Sequence, residues 1–186
     1  MPSQAGTPVE TFIAIRPKIE ERVTSWANSL IKNQINESQN KKIDELIWKW
    51  SPLFQTEPIG GPKGQNPYIN AVLVVEGRKL QAITPSGKAA LNLLNQFLSL
   101  ESEFGRNRNN VDSIRWGPRT LDIDLLAWGS LQVQSKKLTI PHPHLLERSF
   151  VIVPLGAAIS SKKNPPKKIT EQKWPESRED KNNQSN

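Results

Sequence analysis

Residues 115–129, RWGPRTLDIDLLAWG, put two carboxylates, Asp122 and Asp124, one residue apart inside an apolar run. The alternation of Leu121, Ile123 and Leu125 with the two aspartates predicts a strand, LDIDLLAW, with both acids on one face and the aliphatic residues on the other. At a rise of ~3.3 Å per residue the aspartate Cα atoms lie about 6–7 Å apart. Two anions buried side by side are costly, and without a compensating cation one of them would protonate. Three arrangements relieve that cost. The pair can face solvent on an open sheet, form salt bridges with Arg115 and Arg119, or hold hard divalent cations, for which oxygen ligands suit Mg²⁺.

The residues leading into this strand bear on the choice. Arg106, Arg108, Arg115 and Arg119 surround its entry, on a loop that also holds Gly105, Asn107, Asn109, Asn110 and Gly117. Guanidinium forks match phosphate oxygens, and carboxylates for Mg²⁺ beside guanidiniums for phosphate are the ingredients of a nucleoside triphosphate site. The sequence contains no GxxxxGK[ST] loop. Phosphate recognition would therefore fall to side chains.

The chain of 186 residues is long enough for one domain with its own core, and its formal charge of +7 favours an anionic partner or reflects a basic surface and tail. There is no cysteine, hence no disulfide, thiol nucleophile or thiolate metal ligand. No run approaches ~18 apolar residues and the N-terminus does not read as a signal peptide. A cytoplasmic protein is the expectation.

Around the aspartate strand the pattern alternates helices and strands. Phe12, Ile13, Ile15, Ile19, Val23, Trp26, Leu30 and Ile31 recur at helical spacing over Val9 to Asn33, with Pro17 taken to stand near the helix start. Leu46 to Gln55 reads as a strand. TEPIGGPKGQNP is a loop, and YINAVLVVEG a second strand buried on both faces. A long helix follows, capped by Ser86 and carrying Ala90, Leu93, Leu94, Phe97, Leu98 and Leu100. Beyond the aspartate strand come a hairpin-like piece ending in LTIP, then His142 and His144, a short helix around Leu145 to Arg148, and the apolar run FVIVPLGAAI. Residues 1–159 form the expected domain. Residues 160–186, with seven basic and four acidic residues, read as a disordered basic tail. The fold class is α+β, two helices on one face of a sheet.

RWGPRTLDIDLL resembles the signature of the 6-hydroxymethyl-7,8-dihydropterin pyrophosphokinase family: a basic residue, any residue, Gly-Pro-Arg, two residues, Asp-x-Asp and two aliphatics. FQTEPIGGPKGQNPYINAVLVVE is similar to that family's pterin-binding loop and the strand after it, and LTIPHPHLLERSFVIVPL to its Pro-His and Arg-x-Phe segment. Together the three segments span Trp50 to about Leu155 in the family's order.

The resemblance implies a ferredoxin-like α/β sandwich, with an antiparallel sheet and helices on one face. It implies transfer of pyrophosphate from ATP to the hydroxymethyl group of the pterin, giving the pterin diphosphate and AMP in folate biosynthesis. Asp122 and Asp124 would hold two Mg²⁺ ions, with ATP as co-substrate, and Arg108 and Arg119 would join them as catalytic residues. ATP contacts carry over to Arg106, Arg108, Arg115, Trp116, Arg119, Lys137, His142 and Arg148. Pterin contacts carry over to Thr56, Pro58, Ile59, Tyr68, Asn70, Trp116 and Phe150. Phe150 and Trp116 offer stacking faces, and Asn70 a donor–acceptor edge. Lys137 stands where an Arg can occur. Glu101 either orients the loop arginines or occupies a solvated helix position.

The sequence departs from the family at its start. The family opens with a strand and Gly-x-Asn; here FIAI is followed by Arg16-Pro17-Lys18, and its spacing continues into the first helix. The expectation is a domain without the family's first strand, in which Met1 is internal and the natural chain starts upstream. Two other functions compete with the kinase. One is a relative that only binds pterin or nucleotide. The other, an RNA-binding module, would need aromatics where Asp122 and Asp124 stand. No nucleic acid, membrane or second copy of the chain is expected as a partner, and the protein is expected to be monomeric.

Overall fold

The computed structural model describes residues 8–31, 45–57, 66–106, 121–160 and 169–170. Its elements are α1 (Pro8–Ile31), β1 (Ile47–Trp50), β2 (Leu53–Thr56), β3 (Tyr68–Asn70), β4 (Leu73–Glu76), α2 (Arg78–Gln81), α3 (Gly87–Glu103), β5 (Val133–Gln134), β6 (Thr139–Ile140), α4 (Ser149–Ser160) and β7 (Ile169–Thr170). The mixture of helices and small sheets is the α+β class expected.

FIAI lies within α1, as the helical spacing predicts. Pro17 is well inside that helix rather than near its start, because the helix begins at Pro8. A proline there withholds a donor from the carbonyl of Ile13, whose side chain is exposed. α1 packs on α3 through Val23, Trp26, Ala27 and Ile31 against Ala89, Leu93 and Phe97. Each such large apolar side chain contributes about 1.5–3 kcal/mol by leaving water. The Trp26 indole N–H also donates to the Ala89 carbonyl at 2.9 Å. α3 begins where Ser86 predicts, its hydroxyl accepting from the Ala89 N–H at 3.3 Å.

The two predicted strands are each interrupted. β1 pairs antiparallel with β4, Trp50 opposite Leu73, and β2 with β3, Phe54 opposite Asn70. Between those pairs, residues 51–53 face only 71 and 72, a one-residue bulge. Pro52 has no N–H to give the ladder. Ser51, fully buried, repairs the gap: its N–H donates to the Val72 carbonyl and its Oγ accepts from the Val72 N–H, both at 2.9 Å. Before the bulge Trp48 and Trp50 face α1; Trp48 packs with Val75 on the helix core and the Trp50 indole donates to Glu20 Oε1 at 2.8 Å. The extra residue shifts the alternation, so Phe54, Thr56, Tyr68 and Asn70 share the opposite face. β3 and β4 are half-buried rather than buried on both faces.

Gly77 ends this hairpin at φ 124°, where a Cβ would meet the Glu45 carbonyl oxygen at 2.2 Å. Only glycine fits that approach. β7 adds to β2 in parallel. The other residues of the predicted tail beyond Ser160 lie outside the described set. β5 and β6 form the expected hairpin. The short helix expected at 145–148 is instead a turn, and the helix starts at Ser149, running through the apolar segment. This helix, α4, packs on β1 to β4.

Ser51→Ala leaves the Val72 N–H without its acceptor in a buried position, and should cost about 1–3 kcal/mol. Urea denaturation should show the midpoint falling with an unchanged slope.

Candidate functional site

The segment predicted as the aspartate strand keeps its alternation but forms no ladder among the described residues. Over 121–125, Leu121, Ile123 and Leu125 are half-buried while Asp122 and Asp124 are exposed. Ile123, Leu125 and Trp128 pack on the α1–α3 core, and Trp128 meets Trp26 edge-on with ring centroids 5.0 Å apart. Its backbone finds other partners. The Ile123 N–H donates to Glu101 Oε1 at 2.8 Å, and the Leu126 carbonyl accepts from the His142 N–H at 2.7 Å. The expectation of a sheet strand here is corrected to an alternating segment pinned by a side chain.

Glu101 sits in the last turn of α3 and is 1 % exposed. The helix ends in a Schellman cap: Gly105, at φ 87°, donates to the Ser102 carbonyl and Arg106 N–H to the Glu101 carbonyl, both at 3.0 Å. That turn folds Arg106 back over Glu101. Arg106 Nη1 lies 2.6 Å from Glu101 Oε2 and 2.5 Å from Asp122 Oδ1. The two contacts differ in weight. Breaking a buried pair costs about 3–5 kcal/mol, whereas a solvent-facing pair contributes about 0–1 kcal/mol. Asp122, 44 % exposed, belongs with the second kind and Glu101 with the first. Glu101 is thus no solvated helix position. A signal for it was present, since it falls four residues after Phe97 on the buried stripe of α3.

Asp124 has a different environment. Although solvent reaches the residue, its carboxyl is held above the ordinary value of 3.8, first by the protein packed around it and then by the charge of Asp122, with Glu101 adding to the rise; His142 and Arg148 oppose it. His142 Nδ1 accepts from the His144 N–H at 3.2 Å, which leaves Nε2 as its donor. Arg148 reaches a second neighbour: its guanidinium lies 5.5 Å from the Phe150 ring centroid, in the first turn of α4. Three expected ATP contacts, Arg106, His142 and Arg148, therefore act on the aspartate pair. Phe150 joins them through Arg148.

On the sheet, Asn70 Nδ2 donates to Thr56 Oγ1 at 2.6 Å, on the face that also carries Tyr68. Lys137 stands exposed in the β5–β6 turn, its N–H on Ser135 Oγ, with no described contact to the aspartates. Pro58, Ile59, Arg108, Arg115, Trp116 and Arg119 lie outside the described residues. No group of three acids, histidines or cysteines among the described residues is spaced to hold a metal. The donor chemistry of Asp122 and Asp124 nonetheless fits a hard divalent cation, since both offer carboxylate oxygens on one side of the segment. No helix among the described residues is long and apolar enough to cross a membrane.

A raised carboxyl pKa means that the fold binds the Asp124 proton more tightly than the unfolded chain does. Stability is then highest below the ordinary value and falls as pH rises through the raised one. Asp124→Asn should therefore melt higher than the parent at pH 7 without metal or nucleotide. The difference should vanish in melts recorded below pH 3.8. A variant that melts lower at pH 7 would contradict the burial argument.

Comparison with known proteins shows the family. The family model described as 7,8-dihydro-6-hydroxymethylpterin-pyrophosphokinase matches residues 22–160. A Synechocystis 2-amino-4-hydroxy-6-hydroxymethyldihydropteridine pyrophosphokinase is 49 % identical over 110 residues, 59 % of this chain and 49 % of its own length. The Haemophilus influenzae protein of the same name is 40 % identical over 105 residues, 56 % of this chain and 57 % of its own. The mitochondrial folate synthesis bifunctional protein of Arabidopsis thaliana is 33 % identical over 156 residues, 84 % of this chain and 24 % of its own. The chain thus spans about half the length of the two bacterial relatives. With an aspartate pair flanked by Arg106, His142 and Arg148 inside the matched residues, the chain belongs to the 7,8-dihydro-6-hydroxymethylpterin-pyrophosphokinase family.

Proposed function

We propose that the protein transfers pyrophosphate from ATP to 6-hydroxymethyl-7,8-dihydropterin in folate biosynthesis, releasing AMP, on a sheet of the ferredoxin-like kind. The observation that carries this reading is the convergence on one carboxylate pair of Arg106 at Asp122 and of His142 and Arg148 at Asp124. Two guanidinium cations and a histidine gathered around two acids suit a ligand that brings its own negative charge and divalent metal.

In this reading Asp122 and Asp124 hold Mg²⁺, two ions by similarity to the family. Bound there, Mg²⁺ would neutralise charge developing on the phosphates and lower the pKa of the substrate hydroxyl. The chain's own residues supply position and field. Arg106 and Arg148 turn from the aspartates to phosphate oxygens, joined by Arg108, Arg115 and Arg119, with Lys137 as an additional point charge. The His142 Nε2–H donates to the nucleotide. On the sheet side, Asn70, oriented by Thr56, reads the amide-like edge of the pterin, and Phe150 supplies a stacking face. Tyr68, Pro58, Ile59 and Trp116 complete that pocket.

The substrate oxygen then attacks the β-phosphorus as the bond to the AMP oxygen breaks, and the hydroxyl proton passes to solvent. No protein base is needed, and alignment and electrostatics carry the rate.

AMP release from ATP, Mg²⁺ and the hydroxymethyl dihydropterin tests the reading. Asp122→Ala and Asp124→Ala should each lose at least ~10²-fold in kcat. Phe150→Ala should raise the pterin KM about tenfold and affect ATP little. Pterin binding without AMP release would make the chain a binding-only relative. Activity surviving Asp122→Ala would overturn the metal assignment.

A further inference from the structure

We propose that Glu101 and Arg106 form a counter-ion latch: Glu101 holds the Arg106 guanidinium against Asp122 where the divalent cation binds, and retains the arginine when the cation displaces it. The proposal rests on Asp122 and Asp124 being the metal carboxylates. It assigns Glu101 a positioning role toward them.

One guanidinium nitrogen, Arg106 Nη1, reaches both carboxylates, at 2.6 Å from Glu101 Oε2 and 2.5 Å from Asp122 Oδ1. The first partner is buried and cannot leave, since its other oxygen accepts from the Ile123 N–H. The second is open to solvent and can. The Schellman cap fixes the Arg106 backbone one turn from Glu101, so the side chain has a short tether on both counts. Displacing Arg106 from Asp122 thus leaves it charged, paired and beside the metal. A phosphate oxygen on that metal would find a donor already in reach. The same bond from Ile123 keeps Asp122 and Asp124 on one side of the segment, because Ile123 is the residue between them.

The latch makes a sign prediction that a structural role does not. Arg106 competes with a cation for Asp122, so removing it should strengthen metal binding while weakening nucleotide binding. Neutralising Glu101 should do the reverse for metal, since Arg106 is then left to Asp122 alone. Mn²⁺ alone, titrated into the full chain and read by paramagnetic resonance of the free ion, is the probe. Arg106→Met should tighten Mn²⁺ about threefold to fivefold, the worth of one solvent-facing pair. Glu101→Gln should weaken it by a similar factor, and the double variant should bind like Arg106→Met. Arg78→Met, a charge lost elsewhere, should change nothing. Separately, Arg106→Met should weaken binding of α,β-methylene-ATP.

If Arg106→Met fails to tighten Mn²⁺, or Arg78→Met tightens it equally, the latch is wrong. It is also wrong if Glu101→Gln weakens Mn²⁺ equally with and without Arg106, which is the signature of a merely structural acid. Arg106→Met leaves Glu101 in place, so the proposal stays testable if Glu101→Gln does not fold. Failure of the parent protein to bind Mn²⁺, or binding insensitive to Asp122→Asn, overturns the underlying metal assignment and the latch with it. Binding that needs Asp122 but ignores Arg106 overturns the latch alone.

Discussion

A single buried carboxylate, Glu101, ties three parts of the molecule together. One oxygen accepts from the Ile123 N–H, the other faces Arg106, and its backbone carbonyl caps the end of α3. An anion this deep is tolerated only because each oxygen has a donor. Those bonds add to the apolar packing of Ile123 and Leu125 in setting the rotation of the aspartate segment. With them, the two acids must face the same way.

The rest of the site is arranged around that fixed segment. Trp128 anchors its far end on Trp26, and the His142 N–H bonds to its Leu126 carbonyl. Arg148 opposes the raised pKa of Asp124 and also touches the Phe150 ring. Asp124 and Phe150, proposed for the nucleotide-bound metal and for the pterin, are therefore joined through one guanidinium. The bulge at Ser51 and Pro52 matters at a distance, because it turns Thr56 away from the face that carries Trp48 and Trp50.

Much of this was legible in the residues. Helical spacing located α1 and α3 because both bury one continuous stripe, and Ser86 marked the cap because its hydroxyl has a defined partner there. The period of two at Leu121, Ile123 and Leu125 correctly set both aspartates on one side, since that depends only on local geometry. Pairing was harder to read, as a ladder depends on a second segment; 121–125 alternates like a strand yet bonds to a glutamate. Leu46 to Gln55 reads as one strand because its residues suit a strand on both sides of Pro52; the register shift of one shows only in the pairing with 70–73. The role of Glu101 was hidden in its polarity: an acid near the end of a helix looks solvated until its place on the buried stripe is noticed.

The central claim is that Asp122 and Asp124 are incomplete as carboxylates alone and are completed by metal and nucleotide. A crystal structure with Mg²⁺ and α,β-methylene-ATP tests it most directly. The account predicts a cation at about 2.0–2.1 Å from oxygens of both aspartates, with Arg106 moved from Asp122 to a phosphate but still on Glu101. A nucleotide bound elsewhere, or one bound while Arg106 remains on Asp122 and no cation lies between the acids, would contradict it.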